Sequence, residues 1–274
     1  MGGALNNQRI ADVSGAAFAA VAGKNPILVL PLGSLEDHGP GAPMGDFVLA
    51  DILAGRIADR CTASGVLTFA APVMPFGVAD YFGASPGGMA ISAGAFREVL
   101  TDLLAGFRRQ GLTRVVILNG HGGNAPVIHE VALAVRLAHG VVVPSFYLWK
   151  VARVLMEREI SPASGRFGHG GEPILSLTRA LRPGFKAAPR PGFVGGADEA
   201  GAGGEVLGLP VSGFGTVDFE GVPVDVPAEF VDVPKDSVAA AMPLASAALG
   251  QVVADRLVEV AVRFVRHFQE QTVR

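Results

Sequence analysis

Acidic and histidine side chains gather just after an apolar run near the start of the chain. The stretch LVLPLGSLEDHGPGAPMGD (28–46) places Glu36 and His38 behind a predicted buried strand, and Asp46 follows a few residues later. Because alternate residues of an extended chain share a face, Glu36 and His38 can converge while Asp37 points away. Unpaired charges at the end of a buried strand would be strongly unfavourable, so a neutralising partner is expected.

Two glycine-rich segments carry the same residue types. NGHGGN (119–124) exposes His121 between glycines that let the backbone approach closely, and GHGGEP (168–173) brings His169 and Glu172. In parallel α/β sheets, ligands sit outside the carboxyl ends of the strands, at or near which these segments are predicted to lie. We therefore expect the three segments to form one site.

Histidine and carboxylate donors together are typical of sites for Zn²⁺ or Mn²⁺. Asp46 could bridge two ions, which lie about 3.5–4 Å apart in dinuclear sites. The pattern therefore predicts a metal centre with two divalent ions per chain. The predicted ligands are Glu36, His38, Asp46, His121 and Glu172.

Simpler interpretations exist for each segment taken alone. Glu36 and Asp37 could cap a turn, Asp46 could be a helix N-cap, and NGHGGN could be an anion-binding nest. A nucleotide- or phosphate-binding module would use such a nest, but the chain has no G-x-x-x-x-G-K-[ST] motif, and the carboxylates stay unexplained. A metal-stabilised scaffold without activity is a third alternative, which closed ligation without a bound water would favour.

The elements that must position these residues alternate between short apolar runs and longer segments of helical period. This alternation predicts an α/β fold with a mainly parallel sheet between helices, in a single domain over residues 1–274. A glycine- and proline-rich loop region of about 183–234, with short alternating pieces such as TVDFEGVPVDV (216–226), is interpreted as a substrate-covering or subunit-contact segment. Strands are predicted at 26–32, 65–74, 113–118 and 140–148, and helices at 8–22, 46–60, 93–110, 125–139 and 236–269.

Composition excludes several classes of partner. Charged residues make up only 17% of the chain and apolar residues 50%, so we expect extra surface to be buried in a homo-oligomer. The net charge of −3 and the absence of a basic run argue against nucleic acid, and no apolar segment is long enough for a membrane span. A lone cysteine, Cys61, and the lack of a signal sequence favour the cytoplasm.

The same residues resemble the signature of a known family. LPLGSLEDHGP, the later Gly-Asp, VVILNGHGGN and HGGE are similar in order and spacing to motifs of the creatininase (creatinine amidohydrolase) family. The family's usual forms are G-S-x-E-x-H-G-P-H-L-P-x-G-T-D, N-G-H-G-G-N and H-A-G-E, and the similarity runs from about residue 26 to 178. The resemblance implies a three-layer α/β/α fold, a two-metal site, hydrolysis of a cyclic amide or related bond in a small molecule, and often a hexamer.

The resemblance also implies roles for individual residues. Asp46 would bridge the two ions, Glu172 would be the remaining ligand, and His169 matches the histidine credited with proton transfer. The creatininase proper draws a ligand from a glutamate at the position of Gly123, which argues against creatinine itself as the substrate. The other implied ligands are Glu36, His38 and His121.

Substrate contacts are less well defined by the sequence. Gly41 and Gly88 stand where histidine is common in the family, the run to Asp46 is one residue shorter, and Ile174-Leu175 replaces the usual glutamate-threonine. The scissile bond could belong to a lactam, to a ring C–C bond beside a ketone, to a polyol ketone or lactone, or to a peptide terminus. Candidate substrate-binding residues are Gly122 and Gly123, whose N–H groups could steady an oxyanion, and Asp80, Tyr81 and Trp149 as walls.

Overall fold

The fold is taken from a computed structural model that describes most of the chain. Asp80 and Tyr81, two of the predicted wall residues, lie outside the described part, as do 236–244 of the predicted last helix. The described residues are 8–78, 86–159, 167–187, 204–212, 215–228, 232 and 245–271.

A four-stranded parallel sheet forms the centre of the fold. Its strands are β1 (Ile27–Leu32), β2 (Thr68–Ala70), β3 (Val115–Asn119) and β4 (Ser145–Tyr147), in the order β2-β1-β3-β4. All neighbouring strands are parallel, and the four predicted strands are thereby confirmed. β2 and β4 are shorter than predicted, with three residues each.

Successive side chains of β1 point to opposite faces of the sheet, and both faces are covered by helices. Leu28 and Leu30 belong to the apolar core on one face, whereas Ile27 and Val29 belong to the core on the other. Because both faces are buried, the strand reads as a continuous apolar run. Its last residue, Leu32, pairs with Asn119 of β3, so the segments that follow the two strands leave the sheet at one level.

The helices form two outer layers. The first core contains buried residues of α2, α5, α6 and α7, and the second contains those of α3 and α4 with partly buried residues of α1. The arrangement confirms the predicted three-layer α/β/α fold, while the single-domain assignment stays a prediction. No helix in the described ranges combines the length and the apolarity that a bilayer span requires. The helices are α1 (Gly15–Ala22), α2 (Phe47–Ala63), α3 (Ala93–Arg109), α4 (Ala125–His139), α5 (Leu148–Glu159), α6 (Ile174–Leu181) and α7 (Ala247–Glu270).

Four helical segments differ from the sequence expectation. The stretch predicted as one helix at 8–22 is a 3-10 turn, Ile10–Asp12, followed by α1. Neither α5 nor α6 was predicted. Helix α7 begins at Ala247, where the hydroxyl oxygen of Ser246 accepts a hydrogen bond from the N–H of Leu249, and the described residues before it, 245 and 246, are not helical.

The described part of the glycine- and proline-rich region contains a small antiparallel sheet where a loop was predicted. Leu207-Gly208 and Glu220-Gly221 form its outer hairpin turns, with φ values of 58°, 75°, 55° and 83°. Positive φ at both central residues is the geometry of the tight hairpin turns that match the strand twist. In sequence order, the strands are β5 (Glu205–Val206), β6 (Leu209–Ser212), β7 (Thr216–Phe219) and β8 (Val222–Asp225).

Candidate metal centre

A cavity of about 650 Å³ lies at the carboxyl-terminal ends of β1, β3 and β4. Its volume is within the range of small-molecule sites, about 300–1,000 Å³. Every predicted site residue that the structure describes lines this cavity. These residues are Glu36, His38, Asp46, His121, Gly122, Gly123, Trp149, His169 and Glu172.

The loop between β1 and α2 folds back and returns Asp46 to the end of β1. The N–H of Ser34 donates to Asp46 Oδ1 over 2.8 Å, and the N–H of Gly45 donates to the carbonyl of Glu36 over 2.8 Å. Gly45 has φ +81°, and a Cβ on Gly33 would lie 2.5 Å from a backbone atom of α2. Asp46 occupies the N-cap position of α2 but its side chain makes no capping bond. Its carboxylate therefore lines the cavity and does not cap the helix.

His121 lies between the two carboxylates of this loop. Its Nδ1 is 2.9 Å from Glu36 Oε1 and 3.5 Å from Asp46 Oδ2. Its Nε2 is 2.7 Å from the carbonyl oxygen of Val78, which can only accept, so Nε2 carries a proton. Nδ1 is therefore the atom that faces the carboxylates: it donates to them when the ring is charged, and it can offer a lone pair to a cation when the ring is neutral. Metal-bound histidines commonly donate the other ring N–H to a backbone carbonyl in this way.

The two asparagines of NGHGGN hold the backbone around His121. Asn119 Oδ1 accepts from the N–H of His121 over 3.1 Å, and Asn119 Nδ2 donates to its carbonyl over 2.6 Å. Asn124 donates to the carbonyl of Gly33 over 3.1 Å and accepts from the N–H of Val78 over 2.9 Å. The motif thus fixes both His121 and the carbonyl group that selects its tautomer.

A second pair of imidazoles lies on the other side of Glu36. The rings of His38 and His169 stack at a centroid distance of 4.6 Å and an angle of 15°, and His38 Nε2 is 3.5 Å from Glu36 Oε1. His169 Nε2 is 2.5 Å from the carbonyl oxygen of Asp37. His38 Nδ1 is buried without a hydrogen-bond partner among the described residues. An unsatisfied buried nitrogen is uncommon in folded proteins, and a bound ion or ligand would satisfy it.

The donor atoms form two groups that share Glu36. One group contains Glu36, Asp46 and His121, the other contains Glu36, His38 and His169, and the atoms of each lie within 4.8 Å of one another. The residue common to both groups is Glu36, whereas the resemblance assigned the bridging role to Asp46. His169, which the resemblance assigned to proton transfer, lies among the donors of the second group.

Glu172 lines the cavity but belongs to neither group. Its Oε1 accepts from the hydroxyl of Ser176 over 2.6 Å and its Oε2 from the N–H of Ser176 over 3.1 Å. The Ser176 hydroxyl oxygen accepts in turn from the N–H of Ser246, just before α7, over 3.0 Å. Glu172 is thus held by α6 and, through Ser176, by the start of α7, apart from the other predicted ligands.

Burial and neighbouring charge shift the pKa values of the site in opposing directions. Burial would raise the pKa of Glu36, but the hydrogen bond with His121 and the charge of that ring lower it to about 2. Burial raises the pKa of Asp46 to about 6, although the bond with His121 opposes this. Burial lowers the pKa of His38 to about 3, and the charge of His169 adds to the effect. Burial would lower the pKa of His121 too, but its bonds to Asp46 and Glu36 raise it to about 10.

The donor set fits a borderline divalent ion. Glu36, His38 and Asp46 are at most 2% exposed and His121 is 8% exposed, so their charges cannot be solvated by bulk water. Without a cation, the carboxylates are balanced by a proton on His121. Imidazole and carboxylate donors suit Zn²⁺ and Mn²⁺, and the unpartnered nitrogen of His38 supplies a further reason to place a cation here.

Several lining residues were missed by the sequence analysis. Tyr147, Lys150, Arg153 and Phe167 all contribute to the wall of the cavity. Burial raises the pKa of Tyr147 to about 12, and the charges of two site carboxylates add to this, so its hydroxyl stays protonated. A signal was available for Tyr147 and Lys150, because Tyr147 lies at the end of the predicted fourth strand and Lys150 just after it, as His121 follows the third.

Comparisons with known proteins agree with this geometry. The sequence profile of the creatininase family, described as creatinine amidohydrolase, matches residues 11–265. A 3-dehydro-scyllo-inosose hydrolase of Thermotoga maritima is 28% identical over 258 residues, covering 89% of this chain and 78% of the relative.

Solved structures of creatininases share the fold. One described as a manganese creatininase has a TM-score of 0.72 at 21% identity, covering 96% of this chain and 98% of the other. A mutant described as the Zn–Zn type has a TM-score of 0.71 at 20% identity, with coverages of 96% and 98%. The profile match over residues 11–265 shows more than a common fold: the chain belongs to the creatininase (creatinine amidohydrolase) family and is a metal-dependent hydrolase.

Proposed function

We propose that this hydrolase cleaves a bond at a carbonyl carbon of a small cyclic substrate, with two divalent ions held in the cavity. The observation that carries the proposal is the pair of donor groups that share Glu36. In the second group, we propose His38 as the ligand and His169 as the residue that transfers a proton. Each group combines imidazole and carboxylate, as Zn²⁺ and Mn²⁺ prefer. The solved creatininases described as Zn–Zn and manganese forms support the same two metals.

The ions would be held by residues of three segments, 28–46, 119–124 and 168–173. Glu172 is proposed as the remaining ligand, because each carboxylate oxygen has two acceptor sites and the bonds to Ser176 use one on each. When bound, such ions polarise a carbonyl group and lower the pKa of a water toward neutrality. The other proposed ligands are Glu36, His38, Asp46 and His121.

The remaining tasks fall to the protein's own groups. Burial lowers the pKa of His169, so the ring is neutral near pH 7 and can accept the proton that the attacking water loses, then pass it to the leaving group. The carbonyl of Asp37 holds Nε2 of this ring in place. Gly122 and Gly123 begin a short 3-10 turn, and we propose that their N–H groups donate to the oxygen on which negative charge develops. Trp149, only 9% exposed, would form an apolar part of the wall against the substrate.

A cyclic amide is the first candidate substrate, because the family is described by the hydrolysis of creatinine. Creatinine itself is disfavoured, since a Cβ on Gly123 would lie 2.0 Å from the Val78 carbonyl oxygen and no glutamate fits there. A cyclic ketone is the second candidate, because the Thermotoga maritima relative is a hydrolase of 3-dehydro-scyllo-inosose. A lactone or a peptide terminus would present a carbonyl to the same groups.

Metal analysis tests the proposal directly. Protein dialysed against zinc or manganese and analysed by mass spectrometry should carry about two ions per chain, and His121→Ala should lose metal and activity together. His129→Ala, on the exposed face of α4, is the matched control and should keep both. Full occupancy in His121→Ala would contradict the ligand assignment.

A substrate screen would then identify the bond. The metal-loaded protein should be assayed against cyclic amides, lactones, cyclic diketones and short peptides, with His121→Ala as the blank. We also propose that the chain works as a homo-oligomer, with a hexamer suggested by the family resemblance. Sedimentation equilibrium measures this, and a monomer at micromolar concentration would contradict it.

A further inference from the structure

One wall of the cavity carries positive charges that the proposed chemistry does not use. Lys150 and Arg153 both line the cavity and lie three residues apart on α5, so they share a face of that helix. We propose that this pair binds an anionic group of the substrate, a carboxylate or a phosphate, at a distance from the scissile bond. The inference rests on the proposed function, because it places the reacting carbonyl beside Glu36 and His121.

Lys150 is available for such a contact. Its side chain is exposed, and within the part of the chain that the structure describes it forms no ion pair. An exposed lysine on a helix usually serves solubility alone. This one, however, faces a cavity, so an anion bound there would be partly shielded from water and would interact more strongly than on an open surface.

Arg153 is held in an orientation that suits recognition. Its Nε donates to Glu157 over 2.8 Å, and its guanidinium lies 4.9 Å from the centre of the Phe167 ring. These contacts engage one edge and one face of the guanidinium, and leave the terminal nitrogens as donors. Two parallel N–H donors match the two oxygens of a carboxylate or a phosphate.

The charge of the remaining wall favours an anion at this place. Among the described residues that line the cavity, the acidic ones are Glu36, Asp46 and Glu172. All three belong to the proposed metal centre, where bound cations would neutralise them. Glu157 pairs with Arg153 but does not line the cavity, so the charge that α5 presents to a ligand is positive.

The cavity is also larger than a single ring requires. A cavity of about 150 Å³ already accommodates a ring of the size of benzene, whereas this one measures about 650 Å³. The remaining space can hold a substituent. A ring at the metal centre and an anionic arm toward α5 would together use both halves of the cavity.

Paired metal-binding probes can test the proposal by titration calorimetry on the zinc-loaded protein. Each probe has a hydroxamate for the ions and a tail of two to four methylenes that ends in a carboxylate, a phosphonate or a neutral amide. We expect the charged probes to bind roughly tenfold more tightly than the amide at the best tail length. Lys150→Met and Arg153→Met should each reduce this ratio about threefold, and 0.3 M salt should reduce it further.

Matched controls separate this effect from a general loss of charge. Arg263 on α7 is exposed and lies 3.9 Å from Glu259 four residues away, as Arg153 pairs with Glu157. Arg263→Met and Lys24→Met should leave the ratio unchanged. The better of the carboxylate and phosphonate tails identifies the anion.

The possible outcomes distinguish this inference from the proposed function. If hydroxamates bind but charged and neutral tails bind equally at every length, the anion proposal is wrong while the metal centre stands. The same holds if the ratio survives in Lys150→Met and Arg153→Met. If no hydroxamate binds and no zinc is retained, both the proposed function and this inference are wrong.

Discussion

An alanine at position 123 would place a methyl group on the contact that orients His121. A Cβ on Gly123 lies 2.0 Å from the Val78 carbonyl oxygen and 2.7 Å from His121 Nε2. These are the two atoms that a 2.7 Å hydrogen bond joins. Real Cβ contacts stay beyond 3.0 Å, so the carbonyl or the ring must retreat by about 1 Å in a close-packed interior. We therefore expect Gly123→Ala to break this bond.

The structure allows the size of the effect to be worked out. Overpacking of this kind costs about 1–3 kcal/mol, and a lost hydrogen bond costs about 0.5–1.5 kcal/mol. The free energy of unfolding of Gly123→Ala should therefore fall by roughly 1.5–4.5 kcal/mol. Without the Val78 carbonyl, the proton is no longer held on Nε2 and Nδ1 is no longer kept as a donor to the metal. Loss of such a partner usually lowers metal affinity by about 10–100-fold.

Two measurements and two control variants test this reasoning. Urea denaturation of the metal-free protein gives the free energy of unfolding, and competition with a chelator gives the zinc affinity. Gly23→Ala should leave the zinc affinity unchanged and should not lower the free energy of unfolding, because nothing lies within 4 Å of its Cβ and its φ is −62°. Gly122→Ala should have a smaller effect than Gly123→Ala, because its Cβ would meet only the movable hydroxyl of Tyr147 at 2.9 Å. If Gly123→Ala matches the wild type in both measurements, the contact does not hold His121.

Two further predictions concern proton transfer and pH. His169→Ala should keep its metal content but lose about 10²–10⁴-fold in kcat, as expected for a general acid, and unchanged turnover would remove His169 from that role. In metal-free protein, the pKa of His121 is raised from 6.5 to about 10, so its contribution to stability is complete below pH 6.5 and is lost as the pH rises through 10. The urea midpoint in the presence of a chelator should fall over that range, less so in His121→Ala, and a flat wild-type midpoint would contradict the assignment.

The central sheet and the cavity were predictable because local signals and tertiary structure agree there. The run ILVLPL is apolar without interruption because both faces of β1 are covered, and it ends where the Glu36 loop begins. His121 was identifiable because it comes directly after the third predicted strand and lies between glycines. The bond from its Nε2 to Val78 could not be foreseen, since the two residues are 43 positions apart in the sequence.

The missed helices have separate physical reasons. α5 shows a clear pattern, with Leu148, Ala152, Leu155 and Met156 all buried, but reading the fourth strand through residue 148 concealed its start. α6 begins without a side-chain cap, because Pro173 occupies its N-cap position. Its first five residues are all buried, so the polar face that marks most helices is absent.

The hairpins were missed because their turns use unusual residues. Tight hairpin turns favour Asn-Gly or Asp-Gly, since asparagine and aspartate tolerate positive φ better than most residues. Here the first central positions are Leu207 and Glu220, with φ values of 58° and 55°. The alternating pattern was visible in the sequence, but the turn signal that would have converted it into paired strands was weak.

Hydrogen bonds through Ser176 connect the start of α7 to Glu172, so substitutions in α7 can affect the cavity. Ser246 anchors Ser176, and Ser176 orients the carboxylate that faces the cavity. At Gly250, one turn further along, a Cβ would collide with the Ser176 carbonyl at 1.9 Å, so the two helices are pressed together backbone to backbone. A change near the start of that helix, some seventy positions downstream of Glu172, would therefore reach the cavity through Ser246 and Ser176.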